Sequence, residues 1–252
     1  GLGDVYKRQV KYYGSEQLLF AEINTGKLNE DIISGYFFLY TDFSIDSSWL
    51  NLEKRNYAST DELKRISIPD DLRPNAKKFN FVFLIRKHTL VIEVRNQSGN
   101  LLNANFVERS LENLFRLSKE NDDTVDVTTY KEKSKIKEIF SWKRLKSISV
   151  YIKIPNPDTP TSEYDIEQDF RSRNQHTLKL EAKALPKRSL NLNGLFRSYL
   201  LASERNGYAT ADGESEDGMS KSISTQSKPA KYRVPISNYD DTTEDLRRFF
   251  DD

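Results

Sequence analysis

Alternation of apolar and polar positions is the strongest signal in this chain, and it peaks over 79–95, FNFVFLIRKHTLVIEVR. Phe79, Phe81, Phe83 and Ile85 share one face of a pleated strand, Val82 and Leu84 share the other, and Leu90, Ile92 and Val94 resume the same period of two. The pattern predicts a central hairpin that serves as scaffold, although Lys87-His88 is not a favoured two-residue turn. Upstream, 17–23 (QLLFAEI) and 33–43 (ISGYFFLYTDF) read as an antiparallel pair joined by the turn-rich NTGKLNED. Between them and the hairpin, 46–63 is expected to be an irregular connection packed down by Trp49 and Tyr57, and Pro69 and Pro74 break the chain.

After the hairpin the period changes. Val107, Leu111, Leu114 and Phe115 make one helical stripe, with Asn105 and Glu108 at capping-box spacing. A strand is expected over 124–130 and a short helix over 134–140, with Ile136, Ile139 and Phe140 inward. A strand over 147–154 should turn Ile148, Val150, Ile152 and Ile154 to one side. The three prolines of PNPDTP, 155–160, permit neither a helix nor a central strand and mark a lobe boundary. Beyond it come a helix from Ser162 to about Gln175 and a strand through Leu178, Leu180 and Ala182. A helix through Leu192, Leu195, Phe196, Tyr199 and Leu200 follows, closed by a left-handed Gly207. A hairpin of 208–212 with 219–224 and an edge strand over 231–236 complete the pattern.

This order gives an α+β fold: a mixed, largely antiparallel sheet with helices on one side over 10–155, then a smaller α+β lobe over 156–236. Residues 1–9, GLGDVYKRQ, resemble a translated adapter scar, and with Met219 the only methionine the native N-terminus is expected to be missing. Residues 237–252 form an acidic tail, in which Asp240, Asp241, Glu244, Asp245, Asp251 and Asp252 outnumber Arg247 and Arg248.

Composition narrows the chemistry. The 252 residues, 37% hydrophobic, can bury a substantial core. The absence of cysteine excludes disulfides, thiolate nucleophiles and cysteine-ligated metal centres, and only His88 and His176 are available as imidazoles. No apolar run reaches the roughly 18 residues of a membrane span, so the expectation is a soluble, cytoplasmic protein with no membrane partner. Net charge is only +1, so any affinity for nucleic acid has to come from local segregation of charge.

Such segregation occurs over 131–153. Lys131, Lys133, Lys135, Lys137, Lys143, Arg144, Lys146 and Lys153 face only Glu132 and Glu138. These cations are expected to line a phosphate track, with Trp142 or Tyr151 stacking on exposed bases. The bland counterpart is a solvated helix face with Trp142 in the core. The acidic tail would either compete with nucleic acid for the same cations or serve solubility.

One constellation has catalytic spacing. Asp158, then Glu181 and Lys183 two apart on a strand, resemble the PD-(D/E)xK nuclease signature, whose acids hold Mg or Mn while the lysine orients water. The pattern is short and degenerate, and Thr177 and Lys179 share its strand face, as on an ordinary solvated strand. His88 and His176 lack a serine or carboxylate at motif spacing, Asp122, Asp123 and Asp126 lack the spacing of a calcium loop, and no glycine-rich phosphate loop is present.

The spaced pieces DLRPNAKKFNFVF, LVIEVRN, IKIPNPD and ERNGYATADG together resemble the bacterial and phage domain-of-unknown-function family forty-seven-forty-seven, over roughly 22–237. The middle third is loosely similar in layout to the phage-defence proteins RexA and KwaB. These resemblances imply a setting, defence against phage or mobile DNA, and carry over no functional residues. The expected function is a non-catalytic component of such a system that binds DNA or RNA and needs no cofactor. The alternatives are a metal-dependent nuclease using Asp158, Glu181 and Lys183, and a protein-interaction subunit that uses the Phe249-Phe250 tail or an open sheet edge to hold a partner or a second copy.

Overall fold

The computed structural model describes residues 9–27, 31–43, 47–117, 125–154 and 161–234, the side chains of 161–165 excepted. The chain divides into two compact units, one of 1–26, 33–82 and 92–125, the other of 27–32, 83–91 and 126–252. The boundary expected at 155–160 lies outside the described residues. The main change of unit falls earlier, after Val125, because the strand before the prolines pairs with strands that follow them. The acidic tail also lies outside the described residues. Both units are α+β with largely antiparallel sheets. No described helix is long and apolar enough to cross a membrane.

The five-stranded sheet has the order β1-β2-β3-β6-β7, from β1 (Gln9–Tyr13), β2 (Glu16–Asn24), β3 (Ile32–Thr41), β6 (Lys77–Leu84) and β7 (Thr89–Ile92). β2 and β3 pair antiparallel as their alternation requires, with Leu18 opposite Leu39 and Phe20 opposite Phe37. Phe20, Phe37, Phe79 and Phe81 are buried and touch one another edge-on, tilted or stacked. The expected hairpin is β6–β7, closed by a four-residue turn over 85–88 in which His88 takes φ 44°, a left-handed conformation unusual for a residue with a Cβ.

In place of an irregular connection over 46–63 there is a small hairpin, β4 (Leu50–Asn51) and β5 (Asn56–Tyr57), followed by helix α1 (Thr60–Leu63) with a capping box between Ser59 and Glu62. Tyr57 stands exposed there, while Trp49 packs edge-on to Phe43. Helix α2 (Ala104–Leu117) buries Val107, Leu111 and Leu114 and packs on β1. Its first turn is capped by Asn103, whose side-chain oxygen accepts from the Asn105 N–H at 3.0 Å, two positions before the cap expected from spacing.

The second unit is built on a four-stranded sheet in the order β11-β10-β8-β9, from β8 (Arg144–Lys153), β9 (Thr177–Lys183), β10 (Gly207–Glu214) and β11 (Ser220–Ser224). Residues 125–130 form no strand, and only an isolated bridge joins Lys131 to Pro229. Helix α5 (Leu195–Asn206) lies on β8 and β10, with α3 (Lys133–Phe140) and α4 (Thr161–Ser172) against it. The core between them holds Ile136, Ile139, Ile148, Val150, Ile152, Ile166, Phe170, Tyr199 and Leu200. α3 thus belongs to the core of this sheet.

A bulge between Asp212 and Gly213 shifts the register so that Leu145 and Ile148, three apart, both point inward. Gly207 does not close α5 in a left-handed turn. Its φ of 175° is extended, and it starts β10 so close to β8 that a Cβ would fall 1.8 Å from the Tyr151 carbonyl oxygen. The edge strand expected at 231–236 is absent over the described 231–234.

Candidate nucleic-acid interface

Burial and pairing sort the basic segment. Lys131 is 5% exposed, and its N–H donates to the Glu204 carbonyl at 2.6 Å. Lys135 pairs with Glu138 at 3.2 Å, and Lys221 approaches the same carboxylate at 3.5 Å. The Lys135 hydrogen bond, with Lys221 behind it, holds the Glu138 carboxyl below its usual range. Lys146 and Arg144 converge on Glu214 at 2.8 and 3.4 Å, and Lys146 foremost lowers that carboxyl too. Lys153 reaches Asp126 at 3.4 Å.

Trp142 is 8% exposed and packs against Gly213, where a Cβ would lie 2.5 Å from the indole ring. The expectation that Trp142 stacks on bases is therefore corrected: the indole fills the core at the sheet end, with its Nε1 buried and unpartnered. Lys133, Lys137 and Lys143 remain exposed, with no ion pair among the described residues. Lys133 and Lys137 lie one turn apart on α3, which Ile136 and Ile139, 0% and 1% exposed, fix to the core.

The face of the four-stranded sheet turned away from α3, α4 and α5 follows from the registers. Tyr208, Tyr151 and Lys179 stand side by side on β10, β8 and β9, and the next row is Thr210, Ser149 and Glu181. The Tyr151 and Tyr208 rings stack at 5.2 Å with planes 27° apart. Sequence had marked Tyr151, and Tyr208 was missed because cross-strand pairing sets it opposite, more than fifty residues away. At the end of this face Asp126 binds His176 at 2.6 Å as well as Lys153. That carboxylate partner of His176 has no signature in local spacing.

The nuclease constellation is only partly described. Glu181 and Lys183 do share the exposed face of β9, but Glu181 pairs with Lys179 at 2.7 Å, which foremost lowers its carboxyl and raises the lysine. Asp158 lies outside the described residues. Among the described residues no group of three or more histidine, aspartate or glutamate side chains is placed to hold a metal ion.

No curated protein and no solved structure matches the chain. A family model described as Domain of unknown function (DUF4747) matches residues 4–251, beginning inside the stretch read as an adapter scar. With nearly its whole length covered, the chain belongs to the DUF4747 family.

Proposed function

We propose that this protein is a non-catalytic nucleic-acid-binding component of a phage-defence system, and that it holds the backbone of its ligand on Lys133, Lys137 and Lys143. One observation carries the reading: these three exposed ammonium groups have no ion pair among the described residues, while the cations around them are neutralised by Glu138, Glu214 and Asp126. Unpaired cations can release condensed counterions on meeting phosphates without first breaking an ion pair. A helix pinned by buried isoleucines holds two of them at fixed spacing, which limits the side-chain ordering left to complete on binding.

An electrophoretic shift with single-stranded DNA, duplex DNA and RNA at about 50 and about 200 mM salt tests this. Retardation that weakens steeply at the higher salt is expected, and no retardation of any form at the lower salt contradicts it. The defence setting, drawn from the family resemblance, is tested by plating phage on cells that carry the chain or its Lys133→Gln/Lys137→Gln/Lys143→Gln variant. Equal plating would remove it.

A second reading, a protein-interaction subunit, is favoured by the β4–β5 hairpin. Leu50, Leu52 and Tyr57 are exposed together there, at 63%, 81% and 77%. Self-association that is lost in Leu52→Asp would support it, and a monomer at every concentration would count against the second-copy form of it.

A further inference from the structure

We infer that the open face of the four-stranded sheet binds unpaired bases of a single-stranded nucleic acid, with Tyr151 and Tyr208 as the stacking platform and Lys179 as the phosphate contact beside it. The inference rests on the nucleic-acid reading above and names the form of its ligand.

The solvated face of an antiparallel sheet is expected to be polar throughout. Here the rows are serine, threonine, lysine, aspartate and glutamate, interrupted by two large rings set directly opposite each other on the two central strands. The core of this unit closes on the other face, so neither ring is needed to fill it. Both rings are half-buried, and neither hydroxyl has a hydrogen-bond partner among the described residues. A stacked pair in that position offers a flat aromatic surface with polar tips, the surface on which bases of any identity stack.

Charge beside the pair fits the other half of a nucleotide. Lys179 stands opposite Tyr151 in register. Lys153, next but one along β8, lies on the same face but is held by Asp126. An ammonium group beside an aromatic platform complements the alternation of base and phosphate along a strand. The acids nearby do not block this. Glu181 is held by Lys179 in a pair whose side chains are 65% and 61% exposed, and such exposed pairs contribute little and exchange readily for a phosphate.

A duplex fits this face poorly. Its bases are already stacked on one another and present only edges and backbone.

The test is fluorescence anisotropy of a labelled short oligothymidylate and of its duplex with oligoadenylate. Both are titrated with the full chain, with Tyr151→Thr/Tyr208→Thr, and with Tyr151→Phe/Tyr208→Phe as the control that keeps both rings. The expected result is preference for the single strand, a loss of about tenfold or more in the threonine variant, and near wild-type binding in the phenylalanine variant. The duplex should weaken by less than about threefold, which also shows that the threonine variant is folded. Single-strand binding unchanged in the threonine variant, or equal binding of duplex and single strand, overturns the platform while leaving the nucleic-acid reading in place. No binding of either probe by the wild type overturns both.

Discussion

The two larger sheets of this protein use aromatic residues in opposite ways. In the five-stranded sheet Phe20, Phe37, Phe79 and Phe81 face inward and touch one another, with no polar atom in need of a partner. In the four-stranded sheet the core is aliphatic along the strands, and the stacked pair Tyr151–Tyr208 stands on the other face. Phenylalanine contributes burial alone, whereas a tyrosine that keeps its hydroxyl on an open face retains a ring edge and a polar tip for something outside the fold. Aromatic content therefore marks core in one sheet and a candidate surface in the other. What separates them is the strand face on which the alternation places the ring.

The comparison breaks first if truncating rings in the two sheets costs the same. Phe79 is 0% exposed and stacked with Phe37, so Phe79→Ala should cost about 3–5 kcal/mol by urea denaturation. Gly207→Ala should cost about 1–3 kcal/mol, because its methyl would meet the Tyr151 carbonyl oxygen that carries the four-stranded sheet's pairing. Tyr151→Thr/Tyr208→Thr should cost only about 1 kcal/mol, the worth of a half-exposed aromatic pair, since threonine suits a strand. A loss in that double variant as large as in Phe79→Ala would show that the tyrosines are core after all.

The smallest effect expected concerns a capping group outside both aromatic clusters. The Lys54 side chain, followed by the Ser59 backbone N–H, holds the Glu62 carboxyl at about 2, against an ordinary value of 4.5. Because the folded-state value lies below the unfolded one, this contribution is present above about 4.5 and disappears as pH falls through about 2. The difference in melting temperature between wild type and Glu62→Gln should therefore narrow as pH falls from neutral towards about 2, and a constant difference would contradict the assignment.

Much of the scaffold was legible because burial and period coincide. The β2–β3 pair, the central hairpin, the α2 stripe and the alternation of β8 all follow from side chains whose spacing matches the face they bury. Departures arose where a distant partner decides. TVDVTTY has strand-like residues, yet 125–130 find no strand to pair with, and sheet formation depends on the neighbour more than on propensity. Leu145 and Ile148 break the alternation through a bulge at Lys146, the extra residue of β8 between the partners of Asp212 and Gly213. In the basic segment, charge segregation counted cations that the fold pairs off. Glu214 claims Arg144 and Lys146, and Asp126 claims Lys153, across sequence separations that spacing does not encode. Trp142 reads as an exposed aromatic among lysines until Gly213 supplies the opening into which it packs.

The central claim is that Lys133, Lys137 and Lys143 meet phosphates. Its most direct measurement is the slope of log affinity against log salt for a single-stranded oligothymidylate, in wild type and in Lys133→Gln/Lys137→Gln/Lys143→Gln. Three lost contacts should make the slope shallower by about 2, since each contributes about 0.7 on a single strand. Parallel slopes in the two proteins would contradict the account.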